Sequence, residues 1–417
     1  MNIDTALEKI YSLKQFHIKL GLDNITNLLN HINNPQKELK IIHVAGSNGK
    51  GSTASFLSSI LQECGYKVGL YTSPHFVKFN ERIRINGLEI DDSSIIDFLE
   101  ENKKYIGKKK PTFFEIATAL AYNYFNENNI DFAIMETGLG GRLDATNTIT
   151  PIASVITSIS LEHSRILGDT LEKIAYEKGG IIKKNTPVFV GKVPIEAEKV
   201  FLEITKEKNC KLHNIKNYIE EFQNHIILKG DKTNYNLYSS GLEGKHQLHN
   251  ATLAILVLQK TLNINDDKII FRGLNNVVKN TNLHGRYERF NDSPTVIFDA
   301  AHNLEGINVF LSQFEKEASK YNKTILIYGA MQDKNNSNML KLLNKHFDKI
   351  FLTSTNYERA ATVSELKKIA KLSNIEVEEL KQTNIYISNF IKQKSNDCLT
   401  VLGSIYLLGE IKKELSQ

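Results

Sequence analysis

The sequence predicts an α/β protein: an N-terminal phosphate-loop domain with a mostly parallel sheet, then a smaller, Rossmann-like C-terminal α/β domain. Three observations carry this. Short apolar runs alternate with helix-period stretches, the pattern of strands and helices wound around a parallel sheet. The first run leads straight into a glycine-rich turn and a helix. A second series of such runs starts near residue 290.

The elements follow in order. Ala6, Ile10 and Leu13 have helical spacing, as do Ile25, Leu28, Leu29 and Ile32, with Pro35 expected to end the second helix. Ile41-Ile42-His43-Val44-Ala45 reads as a buried parallel strand. The turn Gly46–Gly51 opens a helix through Phe56, Leu57, Ile60 and Leu61, with Gly65 as its C-cap. Val68–Tyr71, Phe132–Met135, Ala153–Ile156 and Val188–Val190 are the next strands, with helices at Phe113–Phe125 and Leu171–Lys178. Residues 209–240 are choppier and suggest a small antiparallel sheet. Thr295–Phe298, Thr324–Tyr328, Lys349–Leu352 and Leu399–Leu402 form the second series. The polar stretch Thr281–Arg289 separates the two, so the expected domains are 1–285 and 290–417.

Composition narrows the class. At 417 residues the chain is long for one domain. Its 41% hydrophobic and 24% charged residues are globular values and exclude a mostly disordered chain. A net charge of +5 is mild. With no basic stripe interleaved with aromatics, it argues against nucleic-acid binding and suits an acidic small molecule. Cys64, Cys210 and Cys398 are dispersed and form no CxxC pair, which argues against a disulfide scaffold and fits a reducing cytoplasm. No apolar leader opens the chain and no run of about 18 apolar residues occurs, so neither secretion nor a membrane partner is expected.

The strongest motif is Gly46-Ser47-Asn48-Gly49-Lys50-Gly51-Ser52-Thr53. After a strand and before a helix, glycines let backbone N–H groups face an anion, and the helix N-terminus adds partial positive charge. Lys50 can reach β/γ phosphates; Ser52 or Thr53 can approach a phosphate or Mg²⁺. The match to G-x-x-x-x-G-K-[ST] is imperfect: Val44 stands at the first glycine and Gly51 follows the lysine.

This loop resembles that of the Mur ligase superfamily, and within it the chain resembles the folylpolyglutamate synthase/dihydrofolate synthase family. The segments that carry the resemblance are Leu20-Gly21-Leu22, Tyr71-Thr72-Ser73-Pro74-His75, Asn80-Glu81-Arg82-Ile83-Arg84, the block Glu136–Asn147, Glu177–Ile181, Gly285-Arg286, Asp299-Ala300-Ala301-His302-Asn303 and Gly403–Tyr406. They run from about residue 16 to the C-terminus.

The resemblance implies an ATP-dependent ligase that adds L-glutamate to dihydropteroate and to tetrahydrofolate polyglutamates, or to the latter alone, with ATP and paired Mg²⁺ ions. It implies metal ligands Ser73, Glu136 and His163, and Lys178, carbamylated in family members, for a second metal. An ordinary loop histidine or a salt-bridged lysine remains the alternative at the last two. Glu162 and Gly179 depart from the family's usual Asp and Ala. Beside the loop residues Gly46, Ser47, Asn48, Gly49, Lys50, Gly51 and Ser52, the implied ATP contacts are Asn250, Arg286 and Asp299. Lys50, Glu136, His163 and Lys178 form the implied catalytic set.

The implied acceptor contacts are Leu20, Gly21, Leu22, Asp23, Thr112, Leu143, Asp144 and Ala145. His302 and Ser404 are assigned to the glutamate side, with a capping role equally open to Ser404. Phe113 and Phe114 either stack on a flat heterocycle or belong to the core. In the implied chemistry a carboxylate attacks the γ-phosphate, the glutamate amine attacks the resulting acyl phosphate, and domain closure excludes water. The family leans monomeric. A cell-wall Mur ligase would place a whole domain before the loop, where only about forty residues stand. A plain NTPase or a non-catalytic nucleotide-binding module would not need the later motifs.

Overall fold

The computed structural model describes residues 3–12, 21–230 and 234–415. The chain divides into two compact units: residues 1–75, 79–241 and 247–283, and residues 76–78, 242–246 and 284–417.

The first unit is built on an eight-stranded sheet. Its strands are β1 (Ile41–Ala45), β2 (Val68–Tyr71), β3 (Ile83–Ile85), β4 (Leu88–Glu89), β5 (Phe132–Glu136), β6 (Ala153–Ile156), β7 (Val188–Val190) and β8 (Leu212–Asn214). They lie in the order β4-β3-β2-β5-β1-β6-β7-β8. From β2 to β8 all neighbours are parallel; β3 and β4 are antiparallel additions at one edge. β1 is central and buried at every position, which is why it reads as an apolar run broken only by His43. The crossover from β1 runs to β2 on one side, and the one from β5 passes β1 to reach β6 on the other. The crevice beyond the C-terminal ends of the strands therefore opens beside β1.

Local chemistry sets the helices. Thr112 caps Phe113–Glu127 in a reciprocal capping box with Glu115. The helix Lys50–Glu63 ends in a Schellman motif: Gly65 N–H donates to Gln62 O and Tyr66 N–H to Leu61 O. The helix Asp23–His31 stops before Pro35, because Asn33 and Asn34 both turn left-handed. Ile25, Leu28 and Leu29 are buried as their spacing predicts, each contributing about 1.5–3 kcal/mol. Phe113 joins that core, stacked on Tyr11 at 5.4 Å and edge-on to Phe79 at 5.9 Å, so the core reading holds for it.

The choppy region resolves in two ways. β8 extends the main sheet in parallel. β9 (Ile219–Glu221), β10 (Ile226–Lys229) and β11 (Asn234–Leu237) form the small antiparallel sheet.

The second unit holds a six-stranded sheet of β12 (Glu288–Asp292), β13 (Thr295–Phe298), β14 (Thr324–Tyr328), β15 (Lys349–Leu352), β16 (Glu378–Glu379) and β17 (Cys398–Leu402), in the order β12-β13-β17-β14-β15-β16. Only β12 pairs antiparallel. One apolar cluster gathers Phe310, Phe314, Leu326 and Leu340; another gathers Val296, Phe298, Leu399 and Leu408.

Candidate active site

The phosphate loop leaves β1 at Gly46 and enters the helix at Lys50. Gly49 has φ +83°, and a Cβ there would stand 2.6 Å from Asn250 Oδ1; glycine admits both the turn and the close approach. The segment after β6 braces the loop. Ser47 N–H donates to Ser158 O at 2.9 Å, and Asn48 N–H to Ser158 Oγ at 2.9 Å. Thr157 Oγ1–H donates to Asn48 O at 2.6 Å, and Ser160 N–H to Ser47 Oγ at 3.0 Å. A loop fixed by its neighbour keeps its N–H groups in place before a ligand arrives, which is electrostatic preorganisation.

Lys50 Nζ lies 2.8 Å from Gly46 O and 3.3 Å from Ser47 O, over the mouth of the loop. Ser52 Oγ and Thr53 Oγ1, in the first helical turn, are buried without a hydrogen-bond partner. Unsatisfied hydroxyls at a helix N-terminus fit a phosphate or cation-bound oxygen.

The ends of the neighbouring strands supply the rest. Glu136, the last residue of β5, is buried; its Oε2 accepts from Ser73 N–H, just after β2, at 3.2 Å. β1 and β5 pair with Val44 opposite Glu136, which sets this carboxylate beside the strand that feeds the loop.

Lys178, near the end of the helix Leu171–Gly179, is almost wholly buried. It donates to Gly46 O at 2.9 Å and pairs with Glu162 Oε1 at 2.8 Å. Burial, only partly offset by Glu162, lowers the Lys178 pKa to about 8. Burial would raise Glu162, but Lys178, Lys50 and His163 outweigh it and hold that carboxyl at about 2. His163 follows directly, in the left-handed region at φ +46°, as N-cap of the short helix Ser164–Leu167.

Among the described residues no three His, Cys, Asp or Glu side chains form a ready-made metal cage. The donor set nevertheless suits Mg²⁺, which takes oxygen ligands, needs one or two carboxylates and keeps waters and substrate phosphates as its other ligands. Glu136 and Ser73 provide that chemistry, and the orphaned Ser52 and Thr53 hydroxyls are further oxygens without a hydrogen-bond partner.

The block after Glu136 is held by its own acid. Asp144 Oδ2 accepts from Gly138 N–H at 2.9 Å and Leu139 N–H at 2.8 Å; Oδ1 accepts from Thr146 N–H at 3.0 Å and Thr146 Oγ1–H at 2.6 Å. Those donors fill the carboxylate's acceptor sites, so Asp144 is first of all the brace of this loop. Arg142 is tied to Glu177 through N–H to O at 2.7 Å and a side-chain ion pair at 2.8 Å.

The acceptor-side residues separate. Thr112 Oγ1 is engaged in its capping box, Ala145 is buried in the core, and Leu143 is half-buried. Gly21 and Leu22 lead into the helix that Asp23 begins; Leu20 lies outside the described residues. Phe114 faces Gly138, where an added Cβ would stand 2.5 Å from its ring.

In the second unit Asp299, His302 and Ser404 gather at the C-terminal ends of the adjacent parallel strands β13 and β17. Asp299 is half-buried, and its partial removal from water raises its pKa. It accepts from Tyr287 N–H at 2.7 Å, pinning a residue at φ +50°, and from Ala301 N–H at 2.8 Å. Arg286 Nη1–H donates to Gly285 O at 3.0 Å. His302 Nδ1 lies 2.9 Å from Ala300 O, which can only accept, so Nδ1 carries the proton. Ser404 Oγ accepts from Tyr406 N–H at 3.2 Å, an N-cap bond to the helix Ile405–Leu415.

Sequence reading missed Glu162 as the partner of Lys178, and Thr157 and Ser158 as braces of the loop. The one signal for Glu162 was its place beside His163.

Fold and site together define a phosphate-loop nucleotide-binding protein with an acidic, cation-ready edge beside its loop. The Mur ligase middle domain family matches residues 44–258, and the Mur ligase glutamate ligase domain family matches residues 285–405. Dihydrofolate synthase/folylpolyglutamate synthase of Bacillus subtilis is 34% identical over 97% of both chains. Among solved structures, E. coli FolC in complex with DHPP and ADP superposes with a TM-score of 0.89 at 27% identity, over 100% of this chain and 98% of that one. The Yersinia pestis bifunctional folylpolyglutamate synthase/dihydrofolate synthase with Mn, AMPPNP and L-glutamate bound gives 0.87 at 26%, over 100% and 98%. The chain belongs to the Mur ligase family and, within it, to the dihydrofolate synthase/folylpolyglutamate synthase group.

Proposed function

We propose that this chain is an ATP-dependent amide ligase that adds L-glutamate to dihydropteroate and to the glutamate tail of tetrahydrofolates. The carrying observation is the convergence of the braced phosphate loop, the Ser73–Glu136 contact and the Lys178–Glu162 pair at one sheet edge. The near full-length likeness to enzymes of that name supports it.

Amide formation from a carboxylate and an amine is uphill, so ATP must activate the carboxylate. An acceptor carboxylate oxygen attacks the γ-phosphorus and ADP leaves. The neutral glutamate amine then attacks the acyl carbon, phosphate leaves with the carboxylate oxygen, and the surplus amine proton passes to the departing phosphate or to water. Loop N–H groups and Lys50 hold and neutralise the triphosphate. Glu136, Ser73 and His163 would hold Mg²⁺, which would supply charge neutralisation at the phosphates. Lys178, if carbamylated, would serve a second ion and would give up its ion pair with Glu162; its lowered pKa leaves more of the neutral amine that CO₂ requires. Arg286, Asp299 and Asn250 are assigned to the nucleotide, and His302 to glutamate. We place the protein in the cytoplasm as a monomer; among the described residues no helix is long and apolar enough to cross a membrane.

The test is phosphate release from ATP with L-glutamate, with dihydropteroate or tetrahydrofolate as acceptor and a control lacking glutamate. Turnover with both is expected. Turnover with tetrahydrofolate alone would reduce the enzyme to tail extension, and turnover with neither would overturn the substrate assignment.

A further inference from the structure

His43 has no part in the chemistry above, yet it sits at the middle of the central strand, three residues before the loop, with no exposure. Its Nε2 lies 2.8 Å from Thr146 Oγ1. Thr146 Oγ1–H donates to Asp144 Oδ1, whose partner oxygen takes the N–H groups of Gly138 and Leu139. Those two residues are the chain's exit from Glu136 and Thr137. Tyr122 OH holds the Thr146 carbonyl at 2.8 Å.

Proton counting fixes the direction of this chain. The Thr146 hydroxyl has one hydrogen. Three backbone N–H groups hold Asp144 as a carboxylate against the burial that raises its pKa, so at 2.6 Å the hydroxyl hydrogen is spent there. Thr146 Oγ1 therefore accepts from His43 Nε2–H, and Nδ1 keeps a lone pair. Nδ1 is the buried ring atom without a partner. An orphaned acceptor there costs less than the orphaned N–H that the other tautomer would leave. Burial, with Lys183 nearby, pushes the His43 pKa to about 3, so the ring stays neutral.

We propose that His43 is a positioning residue: through Thr146 and Asp144 it fixes the 138–139 backbone and thereby the orientation of Glu136 toward a divalent cation. The inference rests on the ligase reading only for its activity readout. The relay crosses from one strand to the loop after its neighbour, so the strand that launches the phosphate loop also sets the carboxylate beside it. Outer hydrogen-bond partners of metal ligands typically carry a 10–100-fold effect on affinity or activity.

Three variants test this in the full chain: His43→Leu, which removes the donor; Thr146→Val, which removes the relay at nearly constant volume; and His43→Gln, which restores an N–H donor. Amide hydrogen exchange at Gly138 and Leu139 is read without nucleotide, and the Mg²⁺ concentration for half-maximal turnover is read with it. In His43→Leu and Thr146→Val, exchange should accelerate at those two amides and the Mg²⁺ requirement should rise about 10–100-fold. His43→Gln should stay within a few-fold of the parent on both. Unchanged exchange in Thr146→Val overturns the proposal, as does equal damage from His43→Gln and His43→Leu, which would mark a packing role. If His43→Leu fails to fold, Thr146→Val still decides. The exchange readout stands even if the acceptor assignment fails.

Discussion

Both units carry polar residues at the C-terminal edge of a parallel sheet, but they use them differently. In the first, bonding capacity is left over: Ser52 and Thr53 hydroxyls lack partners, and Lys50 and Lys178 both lean on the Gly46 carbonyl. In the second, Asp299 takes one N–H group on each oxygen, from Tyr287 and Ala301, and Ser404 caps a helix. The difference teaches where charge chemistry is prepared. The first edge keeps bonding capacity suited to anionic oxygen; at the second, Asp299 and Ser404 also spend theirs on holding their own loops in shape.

The largest expected effect lies at the first edge. Lys50→Ala should lower phosphate release by about 10²–10³-fold or more while the melting temperature stays near the parent's, because no packed apolar surface is lost. Glu136→Ala should do the same. Near-normal turnover in either would remove that residue from the mechanism and erase the contrast between the edges.

Next comes the buried pair. Lys178→Met strands the Glu162 charge and should destabilise the first unit by about 3–5 kcal/mol. Adding Glu162→Gln should recover part of the stability but none of the activity. Denaturant unfolding read alongside turnover separates the two roles.

In the second unit the charge cluster around Glu288 is structural. Lys412 contacts both Glu288 oxygens, at 2.6 and 2.7 Å, and Gly285 N–H adds 2.7 Å. Burial would raise the Glu288 pKa, but His284, Lys412 and that N–H outweigh it and hold it at about 2. The folded value lies below the unfolded 4.5, so this stabilisation is complete above pH 4.5 and disappears as pH falls toward 2. Glu288→Gln should flatten the stability curve in that window, measured by thermal unfolding. The smallest effect is Ser404→Ala, which should cost about 1 kcal/mol of helix capping and leave kcat unchanged. A large loss of kcat would make Ser404 part of the chemistry.

Legibility in the sequence followed the range of the forces. The buried strands β1, β2, β5, β6, β7, β13, β14 and β15 announce themselves as apolar runs. β4, β12 and β16 do not, because edge strands are partly solvated and owe their pairing to a neighbour; β12 reads Glu-Arg-Phe-Asn-Asp. The end of the helix Asp23–His31 was set by two left-handed asparagines rather than by Pro35. At the site, the loop and Glu136 are local motifs that a single segment reveals. The Glu162–Lys178 pair, the Thr157–Asn48 brace and the His43–Thr146–Asp144 relay join distant segments, and only the folded backbone makes them neighbours.

The most direct test of the account follows an oxygen atom. Dihydropteroate or tetrahydrofolate labelled with ¹⁸O in the reacting carboxylate is turned over with ATP and L-glutamate, and the released phosphate is weighed by mass spectrometry. An acyl phosphate route predicts one ¹⁸O atom in each phosphate formed per amide bond. Unlabelled phosphate accompanying amide formation would contradict it, because the carboxylate would never have attacked the γ-phosphorus.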